Sequence, residues 1–397
     1  MACKRDLTDP MTTPRLYMDW NATAPLSAEA REAVVHAFAL VGNPSSVHGE
    51  GRVAKAALES ARRDVAQLCC RDPAHVIFTS GATEAANLVL SPAFRMGRAP
   101  LSIGHLYVSA IEHPAIREGG RLERSRVSEI PVHGNGVIDL AALAVLLSAH
   151  DSATGLPMVA VMLVNNETGI IQPIEAVSEI VKAHGGLLVV DAVQAAGRLD
   201  LASHAASADF LVISSHKIGG PRGAGALVVK GETLMPVPLI HGGGQEKGHR
   251  SGTENLPAII GFGAAARAVR VGIDERNGRI GALRDRLEVG MRDRAPDVII
   301  HGAEVPRVAN TCFFSLPGLK SETGQIAFDL EGIALSAGSA CSSGRIGESH
   351  VLSAMGFDPK LGALRLSIGP TTTEAEIDRA LVAFARIAAR RKMAGAA

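Results

Sequence analysis

The sequence predicts an α/β protein, a mostly parallel sheet covered by helices and followed by a smaller α+β domain. Three observations predict it. Short apolar, β-branched runs recur with helical patterns between them, and these runs lack the polar alternation of a strand with one wet face. After about residue 270 the pattern changes to a charged helix and shorter strand-like pieces. Runs that are apolar throughout belong to strands buried on both faces, which a parallel sheet between helix layers provides.

The runs are VIFT at 76–79, LYVSA at 106–110, MVAVMLV at 158–164, LLVVD at 187–191, DFLVI at 209–213 and GALVV at 225–229. The second region has a helix over roughly 276–293, strand-like pieces at 298–300, 310–315, 333–335 and 364–369, and a final helix from about Glu374 with TTTE as its capping signal. In such sheets ligands collect beyond the carboxyl ends of the strands. The polar residues after each run are therefore the candidates for chemistry.

After VIFT comes SGATE, whose small residues let backbone N–H groups and the Thr83 hydroxyl approach a phosphate at a helix N-terminus. An ordinary helix cap is the plainer reading. After LYVSA, His113 could stack on an aromatic ring or shuttle protons, or simply sit in a loop. Asn166 follows MVAVMLV, as a ligand contact or a turn former. Asp191 closes LLVVD, where a carboxylate needs a cation, a hydrogen-bond donor or a helix to cap. After DFLVI, Lys217 stands among Ser214, His216 and a run of glycines. Alone it reads as a solvated loop lysine.

Together these strand ends offer the parts of one site. Pyridoxal phosphate needs a lysine for covalent attachment, a carboxylate to keep its ring nitrogen protonated and a cradle for its phosphate. Lys217, Asp191 and SGATE supply that set.

Composition narrows the alternatives. With 397 residues and 47% hydrophobic content, the chain can bury large cores. Forty basic and forty acidic side chains cancel, so no overall field recruits nucleic acid or an anionic membrane. Aromatic content of 3% leaves few platforms for base stacking. No apolar run approaches the length of a membrane span, and MACKRDLTDP lacks the apolar segment of a secretory signal, so a cytoplasmic protein is expected.

The five cysteines, Cys3, Cys69, Cys70, Cys312 and Cys341, are scattered with no C-x-x-C spacing, which argues against a disulfide framework or a zinc site. Cys69, Cys70 and Cys312 lie in or beside apolar segments and read as small hydrophobes. Cys341, in SAGSACSSGRIG, lies among Gly and Ser residues that favour a mobile loop, from which a thiolate could attack a sulfur and then deliver it.

Over nearly the whole chain, MDWNATAPL, GNPSSVHGEG, FTSGATEAANL, IEHPAI, VNNETG, VDAVQAAG, SSHKIGGPRG, GGGQEKGHRSGTEN, LSAGSACSSG and LRLSIG occur in the order seen in cysteine desulfurases of the NifS/IscS type. The chain resembles that family, which has the aspartate aminotransferase-like fold of pyridoxal phosphate enzymes. The resemblance implies a seven-stranded, mostly parallel sheet in a large cofactor-binding domain, 22–268. It implies a small domain, 1–21 with 269–397, that carries the cysteine loop. It further implies that Lys217 anchors the cofactor, Asp191 pairs with its ring nitrogen, Gln194 bonds its phenolic oxygen and His113 stacks on the ring. Asn166 would hold cofactor or substrate, and Ala82, Thr83, Ser214 and His216 would bind the phosphate. Thr253 would reach the phosphate of a partner subunit, making a homodimer. Arg365 would clamp the substrate carboxylate, with Asn21 also at the substrate. Two stretches, WNATAPL and GRIGESH, depart from the family's commoner wording.

The reaction so implied is removal of sulfur from L-cysteine, giving L-alanine and a persulfide on Cys341 for a sulfur acceptor or iron–sulfur scaffold protein. Lys217 would act as base and His113 would help protonate the product. Any metal contact would be a transient iron–sulfur transfer at Cys341. An aminotransferase or a selenocysteine lyase would keep the lysine and aspartate without needing the thiol, and a sulfur-carrier scaffold or regulatory dimer would need no turnover.

Overall fold

The computed structural model describes residues 15–338, 348–358 and 361–394. Seven strands form the central sheet: β1 Val76–Thr79, β2 Ala99–Ser109, β3 Val127–Ile130, β4 Leu156–Met162, β5 Leu187–Asp191, β6 Phe210–Ser214 and β7 Gly225–Val229. Their order is β3-β2-β4-β5-β6-β7-β1. All pairings from β3 to β6 are parallel, whereas β7 runs antiparallel to both β6 and β1. A two-stranded antiparallel extension, Ala93–Met96 with Leu234–Pro236, continues the sheet from β2. The six apolar runs in the sequence are six of the seven strands. The seventh, VSEI of β3, is an edge strand with only one buried residue, so it lacks the continuous apolar signature.

This topology brings the carboxyl ends of β1, β2, β4, β5 and β6 to one edge. Helices cover both faces because the strands' side chains on each side are apolar. The helix Gly49–Leu68 buries Ala54, Leu58, Ala61 and Val65, a spacing that keeps them on one stripe. It packs against Leu256–Arg270, and the two backbones come so close that a Cβ on Gly263 would stand 2.6 Å from the Ala61 Cα.

A second core gathers the N-terminal Leu16 and Met18 with residues from Ile280 to Ala388. Here the antiparallel strands Ile299–Ile300, Thr311–Ser315, Leu364–Ser367 and Ser336–Ala337 lie in that order. The helices Ile273–Arg294 and Glu374–Ala394 pack with this sheet. Phe314 makes edge contacts with Phe328 and Phe384, each such pair adding about 0.5–1.5 kcal/mol beyond its buried area. Leu16–Tyr17 pairs in parallel with Ile333–Ala334, which ties the start of the described chain to this core. The last helix starts at Glu374 as expected, but its capping box joins Thr373 to Glu376 and not to the glutamate inside TTTE.

One buried ion pair pins a long loop to the sheet. Arg62 grips Glu246 through two bonds of 2.7 and 2.8 Å, and the same carboxylate accepts from the Phe78 N–H in β1. Removing the cation strands a buried carboxylate. Arg62→Met is therefore expected to lower stability by about 3–5 kcal/mol, read as a fall in the urea unfolding midpoint.

Candidate active site

A cavity of about 620 Å³ opens at the carboxyl edge of the sheet. Each strand end contributes to its wall for a local reason. β1 ends at Thr79 and turns through Ser80 and Gly81 into the helix Ala82–Val89. No side chain caps this helix, so its first N–H groups face the cavity without a side-chain acceptor. β7 passes close behind, where a Cβ on Gly225 would stand 2.6 Å from the Gly81 carbonyl carbon, so only glycine permits the approach. The result is a bare, positive helix terminus lined by Gly81, Ala82 and Thr83.

Beyond β2, His113 caps the short turn Pro114–Arg117 and accepts from the Ala115 N–H through Nδ1 at 3.1 Å. In the neutral ring the proton therefore sits on Nε2. Burial pushes the imidazole below its ordinary value, helped by Lys217 and opposed by Asp191. Asp191 closes β5 and accepts from the Val193 N–H at 2.8 Å. Its enclosure pushes the carboxyl above the usual range, while that N–H, His113 and Lys217 pull it back.

Lys217 stands in the turn after β6, with Nζ donating to the carbonyls of Asn21 at 2.7 Å and Ala22 at 2.9 Å. His216 lies beside it and is pushed down to about 4 by burial and by the positive charges of Lys217 and Arg222. Gln194 donates through Nε2 to the Asn21 carbonyl at 2.9 Å and accepts from Arg198, leaving a second Nε2 hydrogen for the cavity.

Of the residues singled out in the sequence, Ala82, Thr83, His113, Asn166, Asp191, Gln194, Ser214, His216 and Lys217 line this one cavity. Three others do not. Asn21 is buried with all its polar atoms engaged: its amide bonds the Asn166 carbonyl, Thr311 and Asn310, and its backbone bonds Ser367, Gln194 and Lys217. It joins the two cores, and its side chain has no donor left over for a substrate. Arg365 is buried behind Asn166, giving Nη1 to that residue's carbonyl at 2.7 Å and Nη2 to Asp19 at 2.8 Å, with Nε unpartnered. Thr253 is exposed, on the segment before the helix Leu256–Arg270. Cys341 and Cys3 lie outside the described residues.

The remaining cysteines differ in setting. Burial pushes the Cys69 thiol up to about 12 and the Cys312 thiol well above its ordinary value, so both are inert at neutral pH. Cys70 is exposed in a turn with φ of 50°, against the expectation of a small buried hydrophobe. Its apolar neighbours pack inward while the turn directs it to solvent. Among the described residues no cluster of three or more His, Cys, Asp or Glu could hold a metal ion.

Several residues at the site had no separate signal in the sequence. Arg222, within SSHKIGGPRG, borders the cavity, and Glu84 in the first turn of the bare helix pairs with Arg250 at 2.9 Å. Glu112, immediately before His113, is wholly buried; Oε1 accepts from the Met162 N–H and Oε2 has no partner. Burial raises its carboxyl well above the ordinary range, and the neighbouring Asp191 raises it further.

The residues present fit pyridoxal phosphate. The bare helix terminus, which a Cβ at Gly225 would collapse, offers N–H donors to a phosphate, and a lysine amine and an enclosed carboxyl face the same space.

Comparison with known proteins agrees. The aminotransferase class-V family profile matches residues 16–380. A cysteine desulfurase of Cereibacter sphaeroides is 39% identical over 376 residues, covering 92% of this chain and 94% of that one. An IscS-like cysteine desulfurase of Mycobacterium tuberculosis is 36% identical over 389 residues, covering 96% and 98%. The X-ray structure of a NifS-like protein from Rickettsia africae superposes with a TM-score of 0.83 at 31% identity, covering 94% of this chain and 99% of that one.

Glu112 generates a pH prediction. With a folded-state pKa above its unfolded one, its contribution favours folding in acid and is lost as pH rises from the ordinary glutamate value towards the folded one. Glu112→Gln should therefore gain stability relative to the parent chain as pH rises, with a slope of up to about 1.4 kcal/mol per pH unit above about pH 4.3, measured by urea unfolding at stepped pH. A difference independent of pH would mean that this carboxyl titrates normally.

Proposed function

Since the chain belongs to the class-V aminotransferase family and is a pyridoxal-phosphate-dependent cysteine desulfurase of the NifS/IscS-like kind, we propose which of its residues carry the reaction. The observation that supports the assignment most is the convergence of Lys217, Asp191, His113 and a bare helix terminus on one cavity.

Bound pyridoxal phosphate supplies an electron sink that acidifies the substrate Cα–H and eases loss of the group on Cβ. Lys217 is the cofactor's anchor and, once displaced, the base that takes the Cα proton onto Nζ. Its place after β6 beside the carbonyls of Asn21 and Ala22 gives the amine a fixed resting position and a flexible stem for both tasks. Asp191 holds the proton on the ring nitrogen by hydrogen bond and charge. Gln194 offers its second Nε2 hydrogen to the phenolic oxygen, and His113 covers the ring. Ala82, Thr83, Ser214 and His216 bind the phosphate, and Asn166 holds the cofactor or substrate. Arg365 takes the substrate carboxylate by exchanging for it the Asp19 carboxylate that now occupies Nη2, with the unpartnered Nε beside it.

Cys341 then attacks the sulfur of the bound cysteine as a thiolate. An S–S bond forms, the substrate C–S bond breaks, and its electron pair passes to Cβ, which takes a proton with help from His113 Nε2. Lys217 Nζ returns the proton to Cα, L-alanine leaves, and Cys341 keeps the persulfide for an acceptor such as an iron–sulfur scaffold protein. A reducing, cytoplasmic compartment suits a thiol that must return free after each transfer.

Residues 22–268 form the cofactor-binding domain and the flanking segments the smaller one, a division supported by the separate hydrophobic cores. A homodimer is supported by the exposed Leu26, Val35, Phe38, Val41, Val47 and Val53, which lie on one stretch of chain, and by Thr253, free at the surface to reach a partner's phosphate.

Cys341→Ala should retain the cofactor's visible absorbance and its change on adding L-cysteine, yet form no alanine with dithiothreitol as sulfur acceptor. Alanine formation at the parent rate would refute Cys341 as the nucleophile.

A further inference from the structure

Gln194 is 4% exposed and lines the cavity, and an amide in that place can turn either its oxygen or its nitrogen inward. Two neighbours decide which. The Asn21 carbonyl can only accept, so it takes an Nε2 hydrogen at 2.9 Å. The Arg198 guanidinium can only donate, and its Nη1 gives to the Gln194 Oε1 and, at 2.6 Å, to the Gln194 backbone carbonyl. A flipped amide would set N–H groups against a cation and oxygen against oxygen. The Asn21 carbonyl is shared with Lys217, so the contact that holds the Gln194 side chain alone is the one from Arg198.

Arg198 reaches this oxygen because it stands four residues on, one helical turn away. The turn closes where the N–H groups of Arg198 and Leu199 both donate to the Ala195 carbonyl at 2.9 Å. The helix Ile273–Arg294 holds it from outside: Asn277 donates to the Arg198 carbonyl at 2.7 Å and Arg276 to the Gly197 carbonyl at 3.2 Å.

The guanidinium keeps its charge without an acid. Among the described residues no carboxylate pairs with Arg198, and its bonds go to the two neutral oxygens of Gln194. Burial and the charge of Arg365 push it down to about 10, which leaves it cationic at neutral pH. A cation bonded to one end of an amide draws electrons from the other, so the Nε2 hydrogen left for the cavity is a stronger donor than a free glutamine would offer.

We infer that Arg198 is a positioning residue for the cofactor's phenolic oxygen: it locks the Gln194 amide with nitrogen towards the cavity and lends it positive charge, without touching cofactor or substrate. This rests on the assignment of Gln194 to that oxygen. A donor and a positive charge both favour the ionised oxygen. They therefore weaken the hold on the proton shared between it and the nitrogen that joins the cofactor to Lys217.

The test is a pH titration of the visible absorbance of the cofactor-loaded enzyme without substrate, beside its cofactor content per chain. Arg198→Met should raise the midpoint by about one pH unit, a ten-fold gain in proton affinity and the effect of one charge-assisted hydrogen bond, with cofactor content as in the parent. Gln194→Ala should raise it by at least as much, and the double variant should go no higher than Gln194→Ala alone. Arg198→Lys, which keeps a charged donor, should return most of the shift. Should Arg198→Met fail to fold, Arg198→Gln, polar but uncharged, carries the test with the same expected rise.

A parent-like midpoint in Arg198→Met or Arg198→Gln, a loss of cofactor with no change of midpoint, or shifts that add in the double variant would overturn the inference. Gln194→Ala separates the two readings. An unchanged midpoint there would sink the assignment of Gln194 itself, whereas a raised midpoint in Gln194→Ala beside a parent-like Arg198→Met would sink only the role of Arg198.

Discussion

The site depends on the grip that Asn21 and Ala22 exert on Lys217. Two backbone carbonyls accept from the lysine amine, and the same Asn21 carbonyl accepts from Gln194. Asn21 reaches the other core through Thr311, Asn310 and Ser367. A single buried amide therefore locks the segment that joins the two cores and fixes where the reactive amine rests. Because buried polar groups must be paired, loosening any member of this set costs the others their partners. The lysine's position is thus a property of the assembled molecule and not of its own loop.

Around that amine the protein has gathered ionisable groups where water is scarce. Asp191 and His113 shift each other's protonation and Lys217 acts on both, while Glu112 stands behind them as a second carboxyl that burial keeps from ionising readily. Two carboxyls close together in low dielectric separate in role: one is held by donors and faces the cavity, and the other is buried and has an unpartnered oxygen. His216, pushed down to about 4, stays a neutral donor and acceptor near the helix terminus. The cavity offers fixed positive potential at one end and an acid at the other, matching a ligand with a phosphate and a basic ring nitrogen.

Much of this was legible in the sequence because buried parallel strands announce themselves as unbroken apolar runs, and ligand groups follow the strand ends. Asp191 and Lys217 could be found by that rule alone. The edge strand Val127–Ile130 could not, since half-exposed residues leave no such run. Glu112 and Glu84 were hidden because their meaning comes from which distant element packs over them: Asp191 and Arg250 are far away in sequence. Asn21 was legible as important but not as a joint, because its partners at 166, 310, 311 and 367 meet only after both cores form. The Thr373–Glu376 box shows the smaller version of the same limit, in which the motif is local but the choice of glutamate depends on where the helix begins.

The central claim is that Lys217 is the residue to which the cofactor is attached. Borohydride reduction of the cofactor-loaded protein, followed by peptide mapping, tests it directly. The account predicts a single pyridoxyl adduct, on the peptide containing Lys217. An adduct on another lysine, or none in protein that shows bound cofactor, would contradict it.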